Sequence, residues 1–383
     1  MVLRLRVVRS PGWEGGEEGV EGGEEGPGRE WPEGVLAMPP HANVSAVATT
    51  ESPALSRPGA FPAVAVGGSL VAAAVVAVRL AGMGGHPVVQ SFVVVFTSIV
   101  VEALPFILLG ALVAAGIEVF VPQDAFDRVA RFPLGLQLPA AALGGFAFPV
   151  CECGSVPVAR RLIARGMHPA SGLAFMLAAP ILNPIVLAST VIAYRGLGLS
   201  FQMAAGRVLL GLALAVVAGW ALGGDSAAEL LKERPGEPPP APYRSAMRAP
   251  ARSAAFADHL AADFFFMGSF VVAGAALAAA LQTVIPQSLV AGLARTPVVG
   301  SLALMGIAFV LSLCSEADAF VAVSLTQFPI GAQLAFLVFG PAVDAKLALL
   351  YSASFRRRFV GRLLIVTVPV VLAGSLWFEA LVR

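Results

Sequence analysis

Runs of about twenty or more residues almost free of charge recur along this chain, and they constrain it more than any other feature. A helix rising 1.5 Å per residue needs roughly 20 such residues to cross about 30 Å of hydrocarbon. The runs are 58–78, 88–121 (interrupted only by Glu102 and Glu118), 132–151, 169–194, 196–224 (with Arg207), 264–294, 296–315, 319–351 (with Asp344 and Lys346) and 360–381 (with Arg362 and, near its end, Glu379). They predict an all-α polytopic membrane protein with about nine transmembrane helices. Of 383 residues 57% are hydrophobic and 13% charged, against roughly a quarter charged in a soluble domain, so a purely soluble protein is excluded. Three cysteines cannot make a disulfide framework, and the histidines at 41, 86, 168 and 259 lack zinc-finger spacing. No basic stripe stands outside the apolar runs, so the expected partners are the lipid bilayer and a small solute, not nucleic acid.

Residues 1–57 are rich in Gly, Glu, Pro and Ser and hold nine acids and five bases. They cannot bury enough apolar surface to order themselves and read as a disordered acidic head. They lack the basic-then-apolar pattern of a signal peptide, and Met38 is an alternative start to Met1. The expected organisation is this head, an extra transmembrane helix within 58–85, a first repeat over 86–224, a polar surface linker over 225–258 containing Pro238-Pro239-Pro240, and a second repeat over 259–383.

The two repeats align by four ordered anchors. Gly110 pairs with Gly274, Cys151 with Cys314, Leu173-Ala174-Phe175 and Pro180 with Leu334-Ala335-Phe336 and Pro341, and Gly206-Arg207 with Gly361-Arg362. The third anchor sets Asn183 against Asp344. Ordered anchors of this kind point to a duplication, the usual construction of transporters.

Each half interrupts two apolar helices. Pro149, Gly154 and Pro157 flank Cys151-Glu152-Cys153, and Pro180 with Asn183-Pro184 is expected to leave half-helices over 171–179 and 185–194. The counterparts are Cys314-Ser315-Glu316-Ala317-Asp318 and Gly340-Pro341-Ala342-Val343-Asp344. Backbone freed at such breaks can bind a solute or an ion near the midplane, with Pro180 and Pro341 as gating positions. Carboxylates in hydrocarbon are costly, which makes Glu102, Glu152, Glu316, Asp318 and Asp344 functional candidates, Glu102 for coupling. The alternatives are that Asp344 pairs with Lys346 or Arg362, that Glu316 caps a half-helix and that Glu102 bonds a freed amide near Pro105. Converging thiols of Cys151, Cys153 and Cys314 with Glu152 and Glu316 would suit a soft metalloid or a borderline metal such as zinc, though buried cysteines also serve as small apolar residues. Arg207 and Arg362 are expected to snorkel to the interface as anchors, with binding of a substrate anion as the alternative.

The block from Pro149 to Pro157, Gly172-Leu173-Ala174-Phe175 with Pro180 and Asn183-Pro184, and Leu313-Cys314-Ser315-Glu316-Ala317-Asp318-Ala319-Phe320 with Phe339-Gly340-Pro341 resemble the predicted-permease family that includes ArsP-type organoarsenical efflux permeases and YraQ-like proteins. The likeness covers roughly residues 90–383. It implies a multi-pass permease of the bacterial cytoplasmic membrane, with Cys151, Cys153 and Cys314 as motif cysteines and, in ArsP-type members, expulsion of trivalent organoarsenicals. The Cys-Ser-Glu-Ala-Asp-Ala-Phe variant looks closest to members acting with a second membrane protein in metal homeostasis. No cofactor is expected. A transporter rather than an enzyme is expected, because no nucleotide-binding or hydrolase motif is present; energy would come from an ion gradient or a partner. A non-transporting complex subunit is the remaining alternative. Four apolar blocks per half would make the repeats parallel, which sets Arg160, Arg161 and Arg165 opposite Arg356, Arg357 and Arg358, against the positive-inside tendency; either one block is re-entrant or one cluster is exported, and an inverted repeat fits the charges only where the linker or one block crosses differently.

Overall fold

A computed structural model describes residues 87–147, 150–233, 249–284 and 297–382. The acidic head, the first expected span and residues 234–248 of the expected linker lie outside these residues. The described chain is helical: α1 Pro87–Phe120, α2 Gln123–Ala130, α3 Leu134–Ala147, α4 Glu152–Ala164, α5 Pro169–Leu182, α6 Pro184–Ala193, α7 Ser200–Leu222, α8 Ala227–Leu230, α9 Ala249–Val284, α10 Pro297–Leu311, α11 Asp318–Ser324, α12 Ile330–Ala342, α13 Ala345–Ser354 and α14 Arg358–Val382.

Among the described residues six helical stretches are long and apolar enough to cross a membrane: α1, α5 with α6, α7, α9, α12 with α13, and α14. The expected spans 132–151 and 296–315 are instead the shorter helices α3 and α10, of 14 and 15 residues. The expected span 319–351 is divided into α11, α12 and α13. The linker also ends earlier than expected, because α9 is helical from Ala249.

Contacts fix the direction of each element. Phe120, at the end of α1, has its ring 5.9 Å from that of Phe256, early in α9. Arg161 of α4 joins the same ends, lying 3.7 Å from Glu118 of α1 and 3.3 Å from Asp263 of α9. The paired helices α1 and α9 therefore run antiparallel. Arg165, just beyond α4, donates to the carbonyls of Glu118 and Val121, so α4 ends where α1 ends and where α3 begins. The segment from α3 to α4 thus enters and leaves at one end of the bundle. At the other end Gly300, early in α10, lies against Phe328 and Pro329, just beyond α11, so α10 and α11 turn back in the same way.

Arg160 donates to the Ser354 carbonyl at 3.1 Å, and the Arg356 amide bonds the Leu230 carbonyl. The two arginine clusters consequently lie at the same end of the bundle, not at opposite ends. The four-crossing count fails because α3 and α10 do not traverse the molecule, a difference set by where each chain end goes and not by apolar content.

Two close crossings seat the half-helices. A Cβ on Gly110 of α1 would overlap the backbone of Gly154 in α4, and one on Gly274 of α9 would lie 2.8 Å from the Lys346 Cα in α13. Glycine is needed at both because backbone meets backbone there.

Candidate functional site

Three half-helices, α4, α11 and α13, begin near one another in the interior, and α6 reaches them through Thr190. The break at Asn183 (φ −53°, ψ 127°) is extended because Pro184 excludes the helical region for the residue before it. Pro180 and Pro341, the expected breaks, instead lie inside α5 and α12; the helices pass through them and stop at Asn183 and at Val343-Asp344. Beyond α10, Ser312 takes φ 46°, a left-handed conformation that ends the helix. Each restart places a polar residue at a helix N-terminus, where unpaired amides and the positive dipole end favour it. Asn183 accepts from the Ile185 amide at 2.9 Å and caps α6, and Asp344 accepts from the Leu347 amide and caps α13. Glu152 and Asp318 are the first residues of α4 and α11.

These termini carry a buried ionic network. Lys346 Nζ lies 3.0 Å from Glu152 Oε1 and 3.8 Å from Asp344 Oδ2. Ser315 Oγ donates to Glu152 Oε2 at 3.0 Å. Arg207 of α7 grips Asp318 through both terminal guanidinium nitrogens, at 2.9 and 2.7 Å, and also donates to Thr190 Oγ1 and to the Ser315 carbonyl. Arg207 is fully buried, which corrects its expected role as an interfacial anchor: a helix flank cannot hydrate it, so it is matched by a bidentate carboxylate. Arg362 does remain exposed and pairs with Asp225 at 2.6 Å.

The thiols converge on the same place. Cys151, Glu152 and Cys314 bring their ligand atoms within 4.8 Å of one another, all three residues buried. The Cys314 thiol also donates to Glu316 Oε2 at 2.9 Å. Cys153 is buried but outside this three-residue group. Glu102, an exposed residue of α1, has Lys346, Glu152 and Cys314 as electrostatic neighbours. Asn183 is wholly buried, and among the described residues its amide nitrogen has no hydrogen-bond partner, nor do Glu316 Oε1 and Asp344 Oδ2. Glu102, Glu152, Glu316, Asp318 and Asp344 are thus gathered around two cationic side chains, Lys346 and Arg207. Two thiols and a carboxylate are a donor set for a borderline or soft ion.

The sequence missed Arg207, Thr190 and Ser315 as members of the network and treated Lys346 only as a partner for Asp344. An arginine well inside an apolar run was the available signal for Arg207. A second buried cluster, Glu118, Arg161, His259 and Asp263, was also missed; His259 Nδ1 lies 3.2 Å from Arg161.

The family model described as ArsP_1, predicted permease, matches residues 88–379. UPF0718 protein YcgR of Bacillus subtilis is 40% identical over 284 residues, covering 74% of this chain and 95% of that protein. A Streptococcus mutans protein named "Putative two-component membrane permease complex subunit" is 33% identical over 270 residues, covering 70% of this chain and 87% of its own. No solved structure matches. With its apolar helices, this makes the protein a multi-pass protein of the bacterial cell membrane. The chain belongs to the predicted permease family.

Proposed function

We propose that this permease expels a small thiophilic solute, a soft divalent cation or a trivalent organoarsenical, through the Cys151, Glu152 and Cys314 group. The observation that carries the reading is the convergence of those three ligand groups inside a ring of interrupted helices. Asn183, Asp318, Asp344 and Glu316 line the solute site, Cys153 supports it from the same turn as Cys151, and Glu102 couples or gates at its α1 edge. Two homologous halves of opposite orientation build the molecule, each with three crossings and one re-entrant hairpin. The antiparallel course of α1 and α9, and the matching capping roles of Asn183 and Asp344, support this arrangement. The arginine-rich end faces the cytoplasm by the positive-inside tendency. Energy comes from an ion gradient or from a second membrane subunit, the latter in keeping with the name of the Streptococcus mutans relative.

The test is cellular accumulation and growth with methylarsenite, arsenite and zinc in a host lacking its own exporters. Wild type is expected to lower accumulation of one of them, and Cys151→Ser or Cys314→Ser to abolish that at equal expression, with a smaller effect of Cys153→Ser. Thiol variants that behave like wild type would refute the reading.

A further inference from the structure

Glu152 is shared. Its carboxylate is one of the three groups that could ligate a solute, and it is also the carboxylate held by Lys346 at 3.0 Å. A cation bound between Cys151, Cys314 and Glu152 cannot tolerate an ammonium on the same oxygen pair. Lys346 has a second acceptor in reach: Asp344 Oδ2, 3.8 Å away, buried and without a hydrogen bond among the described residues, while its sister oxygen is engaged in capping α13. The backbone of Lys346 packs closely against Gly274, so the exchange of partner is assigned to its side chain.

Resting on the solute site proposed above, we propose that Lys346 is a built-in counter-cation that occupies Glu152 in the empty site and steps to Asp344 when a thiophilic divalent cation binds. The charges balance. The cation replaces two protons, one from each thiol, which leave to the medium, so the buried charge is unchanged and only the lysine's partner changes. An uncharged ligand on the two thiols would leave Lys346 on Glu152, so the device selects for cations. It also links α4 to α13, because occupancy at Glu152 decides what Lys346 holds within the second break.

The chain has only two lysines, Lys232 and Lys346, and Lys232 is exposed. Full-length protein carrying isotope-labelled lysine, in lipid nanodiscs, therefore gives one buried and one exposed lysine NMR signal. Cadmium ion is the probe, because its bond to thiolate gives an ultraviolet charge-transfer band. The expected result is that the band appears, the Lys346 signal shifts and the Lys232 signal stays. Glu152→Gln should move the Lys346 signal without cadmium, and Lys346→Met should tighten cadmium binding about tenfold or more, the scale of close buried charge pairs. A band with an unmoved Lys346 signal overturns the relocation and leaves the thiol site standing. No band overturns the site and the relocation together.

Discussion

Replacing Arg207 with leucine deletes two hydrogen bonds to Asp318, one to Thr190 and one to the Ser315 carbonyl. Asp318 is left buried without its cation. Removing one partner of a buried pair costs about 3–5 kcal/mol, a large share of a typical net stability of about 5–15 kcal/mol. Replacing both partners, as Arg207→Leu with Asp318→Leu, removes the stranded charge; Thr190 keeps its bond to Val186 O at 2.8 Å, and the Ser315 carbonyl alone loses a donor, worth about 1–3 kcal/mol. The double variant is therefore expected to be more stable than Arg207→Leu alone, with a coupling energy of at least about 2 kcal/mol in the cycle. The assay is equilibrium unfolding of the purified protein in mixed micelles, followed by helical circular dichroism. An Arg207→Leu protein within about 1 kcal/mol of wild type would refute the reasoning, since a surface-anchored arginine would behave that way.

Gly274→Val should sharply lower the yield of monodisperse protein, because the new side chain meets the Lys346 backbone at 2.8 and 3.1 Å; wild-type yield on size-exclusion chromatography would count against the crossing. Cysteines placed at Gly166 and Lys232, in a background without the native three, should react with an impermeant maleimide from one side of the membrane, and a cysteine at Gly196 from the other. Labelling of 166 and 232 from opposite sides would overturn the shared end of the arginine clusters. Tyr194→Phe removes the donor to Gln333 Oε1 at 2.8 Å and should cost about 1–3 kcal/mol in the same unfolding assay; no change would show that the contact is not held.

The apolar runs, the breaks at Cys151, Asn183, Cys314 and Asp344, and the acids beside them were legible in the sequence, but the break between Ser324 and Ile330 was not. Hydrocarbon offers backbone groups no partners, so a lipid-facing segment must be a helix of span length, and every break must be written locally in proline, glycine or a capping residue. Asn183 before Pro184 is such a local instruction, though the neighbouring Pro180 misled, since a proline can sit within a helix whose neighbours satisfy what it frees. The tertiary structure alone decided which apolar segments cross and which turn back: a 14- or 15-residue helix looks like a trimmed span until its ends are located. It also decided the partners of the buried charges. Arg207 finds Asp318 at a separation of 111 residues and Lys346 finds Glu152 at 194, and no periodicity records pairings of that range. The cost of an unpaired charge in a membrane guarantees that a partner exists, but only the packing of α4, α7, α11 and α13 chooses it.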